Sequence, residues 1–134
     1  MNTKLNYKQI ITAGAMAAGV SVILNAILYF IFRGAGVFTD ALFIQPNQPL
    51  TIVPIIISSI LPSLVGASVF FLFEKYMNNG FKVFSIVALV LMVLSFANPF
   101  MGIPGISVAA GIALNVMHVV VALSLLYFIK RAKQ

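Results

Sequence analysis

The chain contains no cysteine and very little charge: charged residues make up 7% of its 134 residues, and only two are acidic. The absence of cysteine excludes disulfides, thiolate catalysis, cysteine-ligated metal centres and a lipoprotein anchor. About a quarter of the residues of a soluble domain are charged, so this composition is typical of a membrane protein. Neither acidic residue, Asp40 or Glu74, lies within a long apolar run, which disfavours a proton-coupled carrier or a membrane hydrolase.

Hydrophobic residues make up 62% of the chain, and its mean hydropathy is +1.13. A helix of about 20 mostly apolar residues crosses a bilayer, and four segments reach or approach that length. The alternating pattern of a membrane β-barrel is missing from them. We therefore predict an all-α membrane protein with one domain over residues 1–134, a four-transmembrane-helix antiparallel bundle with helices at about 9–32, 52–73, 82–98 and 106–129. The 34–50 segment between the first two helices is long enough to fold over one mouth of the bundle.

Basic residues predict the orientation of the bundle, because cytoplasmic loops are enriched in Lys and Arg. The formal net charge is +6, and only Arg33 falls on the side of the 34–50 loop. Both termini are accordingly predicted to be cytoplasmic. The same residues would contact anionic lipid headgroups, and nucleic acid is not expected as a partner. The residues on the cytoplasmic side are Lys4, Lys8, Lys75, Lys82, Lys130, Arg131 and Lys133.

Small and polar residues recur on each helix at spacings of three and four, which places them on one face. Membrane helices pack through such residues, so these faces are predicted to meet inside the bundle. The third helix offers Ser85, Ala88, Met92 and Ser95 on such a face. The positions predicted to pack helix against helix are Gly14, Ala18, Ser21, Gly66 and Gly111.

The only histidine lies in the apolar run "ALNVMHVVVAL" (113–123). At 1.5 Å per residue, polar residues of the first, second and fourth helices fall at a common depth, roughly 12–14 Å below the outer surface. Pro62 leaves the Ser58 carbonyl without its helical donor. These residues predict a ligand-binding polar cluster. Its members are His118, Asn115, Asn25, Ser59 and Pro62.

A structural interpretation stays open for the same residues. Asn and Ser often join membrane helices by hydrogen bonds that contribute about 0.6 kcal/mol each, and a neutral His118 can simply donate to a carbonyl. The outer-loop charges are equally open to two interpretations. Arg33 and Asp40 pair across the loop and hold it over the bundle, or both are solvated near the headgroups.

Several short motifs, all largely hydrophobic, can be compared with known families. "NAILYFI" (25–31) closes the first helix and is followed by a Gly-Val pair (36–37). Ser95-Phe-x-x-Pro99 lies at the end of the third helix, and "NVMHVVVAL" (115–123) lies in the fourth. Together they resemble an uncharacterised family of small four-helix bacterial integral membrane proteins, a domain of unknown function. The resemblance implies a multi-pass protein of the bacterial inner (cytoplasmic) membrane and implies no activity.

The sequence leaves three function classes open. The first is a non-enzymatic bundle that binds a lipid or hydrophobic small molecule in an outer-half polar pocket lined by Asn25, Ser59, Asn115 and His118. The second is an accessory or structural subunit on a larger membrane protein, and the third is a small oligomeric transporter or channel. One histidine with no acid, cysteine or second histidine beside it offers no catalytic pair, so no enzyme is predicted. No cofactor or metal is predicted, and the expected partners are membrane lipids and either a second copy or another membrane protein.

Overall fold

The computed structural model describes residues 4–134, and most of these residues lie in long helices. Within the described residues, four segments are long and apolar enough to cross a membrane, with α3 and α4 counted as one segment, Gly80–Gly102. The prediction of an all-α protein with four such segments is confirmed. The elements in chain order are α1 (Tyr7–Gly34), β1 (Phe43–Gln45), β2 (Gln48–Pro49), α2 (Ile52–Tyr76), α3 (Gly80–Ser95), α4 (Asn98–Gly102) and α5 (Val108–Ala132).

Side-chain caps determine where the first and last helices begin. Asn6 Oδ1 accepts a hydrogen bond from the Gln9 amide (2.8 Å), and Gln9 Oε1 accepts one from the Asn6 amide (2.9 Å). This reciprocal capping box satisfies two amides that have no partner within the helix. Ser107 caps α5 in a similar way, since its Oγ accepts from the Ala110 amide at 3.1 Å. Helix α1 therefore begins at Tyr7, two residues before the predicted start.

The third membrane segment is interrupted, whereas the sequence predicted one helix over 82–98. Helix α3 ends at Ser95, and the short helix α4 starts at Asn98 with Pro99 in its first turn. Proline is tolerated there because the first amides of a helix need no helical partner, and its missing N–H removes a hydrogen bond that would continue α3 through this position. The Phe96 carbonyl at this break accepts a hydrogen bond from Asn115 Nδ2 (3.0 Å).

Helix α1 packs mainly on α2 and α5, and the core divides into two apolar clusters. A layer of buried polar residues lies on α1 and α2 between these clusters. The first cluster is centred on Ile10, Ala17, Phe70, Leu125 and Ile129, and the second on Tyr29, Phe38, Leu42, Leu50 and Met117. The residues of this polar layer are Ser21, Asn25, Ser59 and Ser63.

Both ends of the described chain contact the last turn of α2. Lys4 Nζ donates to the Lys75 carbonyl (3.2 Å), and Lys133 Nζ donates to both carboxylate oxygens of Glu74 (2.6 and 2.8 Å). We call this end of the molecule the termini end. The opposite end carries β1 and β2 and is called the hairpin end.

The 34–50 segment is folded against the helices at the hairpin end. The amides of Val37 and Phe38 donate to the Phe32 carbonyl, and the Phe38 ring is buried. The antiparallel β1–β2 pair turns at Asn47, whose φ of 62° lies in the left-handed region that asparagine tolerates. Leu42 and Leu50 are buried on either side of this pair, so the segment covers that end of the core.

Candidate functional site

A crevice of about 590 Å³ separates α3 from α2 and α5. At the termini end, Phe84 of α3 packs edge-on against Phe70 and Phe73, with ring centroids 5.2 and 5.7 Å apart. Gly80 and Phe84 are the only buried residues of α3. Between this contact and the Asn115–Phe96 hydrogen bond at its other end, α3 has no buried residue, so the space beside the helix stays open. Its volume lies within the range of about 300–1,000 Å³ that is typical of small-molecule sites.

The walls of the crevice are mostly apolar, and its few polar residues lie toward the hairpin end. Val69, Phe73 and Leu126 are among the apolar residues, and Ile44 and Leu50 of the 34–50 segment close the hairpin end. No Lys, Arg, Asp or Glu of residues 4–134 lines it. The polar lining residues are Asn25, Ser58, Ser59, Ser95 and His118.

Asn25 joins three helices at the base of the crevice. Its Nδ2 donates to Ser59 Oγ (2.9 Å) on α2 and to the Met117 carbonyl (3.3 Å) on α5. Ser59 Oγ in turn donates to the Ile55 carbonyl at 2.8 Å. The Asn25 side chain is almost fully buried, at 2% exposure, and its Oδ1 has no partner among the described residues. A buried acceptor without a donor is uncommon and points to a missing hydrogen-bond partner.

His118 lies on the exposed side of α5 and lines the crevice. Its Nδ1 is 3.1 Å from the Leu114 carbonyl, one turn earlier in the same helix. A carbonyl only accepts hydrogen bonds, so the hydrogen of the neutral ring is on Nδ1 and Nε2 is an acceptor. From the sequence we predicted that the histidine lies beside polar residues. In the structure it lines the crevice together with Asn25 and Ser59.

Asn115 lies apart from the other predicted cluster residues. Its Nδ2 donates to the Phe96 carbonyl at the α3–α4 break, and it does not line the crevice. His118, Asn25, Ser59 and Pro62 do line it, so the structure brings together four of the five residues proposed from the sequence.

The five predicted packing residues lie at helix contacts. A Cβ at Gly14 would lie 2.7 Å from Ala67 Cβ and 3.2 Å from the Ser63 carbonyl, so α1 and α2 approach closely there. Ala18 and Ser21 are buried on the same helix. A Cβ at Gly66 would meet the Leu125 side chain at 2.6 Å, and one at Gly111 would overlap the Phe100 ring.

Arg33 and Asp40 form an ion pair across the start of the loop. The Asp40 side chain is 89% exposed and that of Arg33 is 40% exposed. Exposed pairs of this kind contribute about 0–1 kcal/mol, so the pair adds little to the attachment of the loop.

Sequence reasoning missed two features. It placed Glu74 outside the long apolar runs and gave it no partner, whereas Glu74 is buried and paired with Lys133. The only signal for this pair in the sequence was that Glu74 and Lys133 carry opposite charges at the same end of the predicted bundle. For Ser58 it considered only the carbonyl, which Pro62 leaves free, and not the hydroxyl, although Ser58 lines the crevice.

Comparison with known proteins identifies the family of the chain. A family model described as a family of unknown function (DUF6069) matches residues 6–134. The chain belongs to this family. The resemblance found from the short motifs is thereby confirmed, for a small protein with four apolar helices. No curated protein and no solved structure matches the chain. No activity is assigned to this family, and the crevice is the feature of the structure that bears on function.

Proposed function

We propose that this multi-pass membrane protein binds a lipid or another hydrophobic small molecule in the crevice between α2, α3 and α5. The observation that carries the proposal is an apolar space of about 590 Å³ with a few polar groups at one end. Sites for small molecules have this character, because apolar walls supply affinity and a few polar groups fix orientation. The lining residues Val69, Val87 and Leu91 are exposed, so a hydrophobic ligand can enter from the side of the bundle, where we expect lipid.

The orientation of the protein in its membrane belongs to the same proposal. An antiparallel bundle is supported by the pairing of Gly14 with Ala67 and of Asn25 with Ser59, since residue numbers rise along α1 as they fall along α2. Cytoplasmic termini are supported by Lys4 and Lys133 at the termini end, with Arg33 at the hairpin end. The family resemblance supports a bacterial inner membrane. The polar end of the crevice then lies in the outer half of the bilayer.

A binding role without catalysis fits the polar groups of the crevice better than an enzyme does. Among residues 4–134, His118 is the only ionisable residue that lines it, and its Nδ1 bonds to a backbone carbonyl. General acid–base or nucleophilic catalysis needs a second group that activates or orients the first. The polar groups present can hold and orient a ligand.

The test is to fill the crevice with one large side chain. Ala122 lines the crevice on α5, whereas Ala109 on the same helix is exposed and lies outside it. We expect native mass spectrometry of the parent protein in a mild detergent to detect a bound mass at fixed stoichiometry. Ala122→Phe should lose this mass and Ala109→Phe should retain it. An unliganded parent protein, or a bound mass that survives Ala122→Phe, would contradict the proposal.

A role as an accessory subunit is the second candidate, and the low burial of α3 favours it. Only 11% of an apolar 18-residue stretch of α3–α4 is buried, against 28% in each of the other three long helices. Exposed Ile86, Val90 and Leu94 form one face of α3. A larger membrane protein on that face would protect Val90→Cys, but not Ala15→Cys on α1, from a membrane-permeant maleimide in whole cells.

A further inference from the structure

The polar groups of the crevice are mainly hydrogen-bond acceptors, which bears on the class of ligand and rests on the proposed function. Asn25 is the clearest case. Both hydrogens of its Nδ2 are engaged, by Ser59 Oγ and the Met117 carbonyl, and its buried Oδ1 has no donor within the described chain. Exchanging the amide nitrogen and oxygen would set two acceptors, Oδ1 and the Met117 carbonyl, against each other. The acceptor is therefore fixed in the orientation observed.

His118 contributes a second acceptor. Its Nδ1 donates to the Leu114 carbonyl, so Nε2 of the neutral ring carries a lone pair. The two groups lie near one another, because the carbonyl that Asn25 contacts belongs to Met117, the residue before His118. Both residues line the crevice.

A third acceptor follows from Pro62. A proline has no N–H, so the helical donor for the Ser58 carbonyl is missing, and Ser58 and Pro62 both line the crevice. Inside a bilayer an unpaired carbonyl is costly, since no bulk water replaces the lost partner. The residues that carry these three acceptors lie on three different helices and all line the one crevice.

Donors in the crevice are scarce by comparison. The hydroxyls of Ser59 and Ser95 donate to the carbonyls of Ile55 and Met92, at 2.8 and 2.7 Å. Among the lining side chains of residues 4–134, the Ser58 hydroxyl is left as a group that can either donate or accept. With no Lys or Arg in the lining, a carboxylate or phosphate would meet acceptors and no cation.

We propose that the crevice selects an uncharged amphiphile whose polar end donates a hydrogen bond, namely a hydroxyl group on an apolar chain. The hydroxyl donates to His118 Nε2 at the end of the crevice that Asn25 also lines, and the chain lies along the apolar wall toward Phe73 and Phe84. Such a hydroxyl belongs either to a free long-chain alcohol or to the glycerol headgroup of a lipid.

The test compares four ligands that share a sixteen-carbon chain, each titrated into the full-length protein in a mild detergent and followed by native mass spectrometry. Hexadecanol donates a hydrogen bond, its methyl ether only accepts, palmitate is anionic, and monopalmitoylglycerol carries the hydroxyls of a lipid headgroup. We expect hexadecanol to bind about fivefold more tightly than the ether, as one hydrogen bond provides, and palmitate to bind more weakly than the alcohol. Tighter binding of monopalmitoylglycerol than of hexadecanol supports the same acceptors and identifies a lipid headgroup as the source of the hydroxyl.

Variants at position 118 assign the preference to the acceptor. His118→Phe keeps a ring without an acceptor, so the alcohol-to-ether ratio should fall to about one while binding of the ether is unchanged. His118→Gln has an amide oxygen and should retain a ratio above one. Val116→Phe, on the same helix but outside the crevice lining, should keep the parent ratio.

The outcomes separate this inference from the proposed function. Equal binding of alcohol and ether by the parent protein, or tighter binding of palmitate, overturns the hydroxyl preference and leaves a hydrophobic binding site intact. A preference that persists in His118→Phe overturns the assignment of His118 Nε2 as the acceptor for the hydroxyl. Failure of all four ligands to bind overturns both the inference and the proposed function.

Discussion

Helices α1 and α3 are comparably apolar, yet α1 is closely packed and α3 is not. Along α1, Gly14 brings the helix against Ala67 and the Ser63 carbonyl, and Asn25 bonds to α2 and α5. Helix α3 has only Gly80 and Phe84 buried, both near its start. Lipid tails are as apolar as leucine, so membrane helices associate through close contact of small residues and through polar bonds. This difference indicates that the crevice opens along the part of α3 that makes neither kind of contact.

The largest effect on the tightly packed side is expected at the pair that ties the end of α5 to α2. Lys133→Met leaves the Glu74 carboxylate buried without a counter-ion, since the Glu74 side chain is 4% exposed. Removing one partner of a buried ion pair typically destabilises a protein by about 3–5 kcal/mol. We expect a loss of about 3 kcal/mol in unfolding free energy, measured by thermal denaturation in detergent.

Two controls distinguish the pair from a general charge effect. Lys130→Met removes an exposed charge from the same helix and should change the unfolding free energy by less than about 0.5 kcal/mol. The double variant Glu74→Gln/Lys133→Met should recover part of the loss, because the carboxylate is gone as well. A similar loss in Lys130→Met and Lys133→Met would show that the buried contact does not matter.

The next effect concerns the close approach of α1 and α2. In Gly14→Ala the new methyl group would lie 2.7 Å from Ala67 Cβ and 3.2 Å from a backbone oxygen, and neither neighbour is the free end of a flexible side chain. Overpacking of this kind costs about 1–3 kcal/mol, so we expect a loss of about 2 kcal/mol in a thermal unfolding experiment.

Gly19→Ala on the same helix is the matched control. Nothing lies within 4 Å of the Cβ position at Gly19, and alanine is the better helix former. Its unfolding free energy should be unchanged or up to about 1 kcal/mol higher. If both alanine variants behaved alike, the close helix contact at Gly14 would not distinguish the two sides of the molecule.

Much of the fold could be predicted from the sequence because a bilayer imposes its length on each apolar run. The break between Ser95 and Asn98 could not, since Pro99 is as compatible with the first turn of a new helix as with the end of an old one. Counting residues along each helix placed Asn25 and Ser59 at one depth, and they are hydrogen-bonded in the structure.

The predicted depth of Asn115 in the membrane was not enough to identify its hydrogen-bond partner. The partner of its side chain is the Phe96 carbonyl, which is available only because the third segment breaks at that residue. The crevice itself was equally hidden, because it depends on how far α3 stands from α2 and α5. A stripe with Ala88, Met92 and Ser95 indicated which face of α3 turns inward but carried no information on that separation.

The smallest expected effect tests how much the hydrogen bonds between helices contribute to the close packing of α1. Ser59→Ala removes a hydroxyl that accepts from Asn25 across the helix interface, whereas Ser85→Ala removes one that donates only to the Phe81 carbonyl within α3. Hydrogen bonds between membrane helices contribute about 0.6 kcal/mol on average, so we expect Ser59→Ala to destabilise the protein by about that amount and Ser85→Ala to have almost no effect. Thermal denaturation of both variants in one detergent measures the difference. Equal effects would mean that close contact of small residues, and not the Asn25 bonds, holds α1, α2 and α5 together while α3 stands apart.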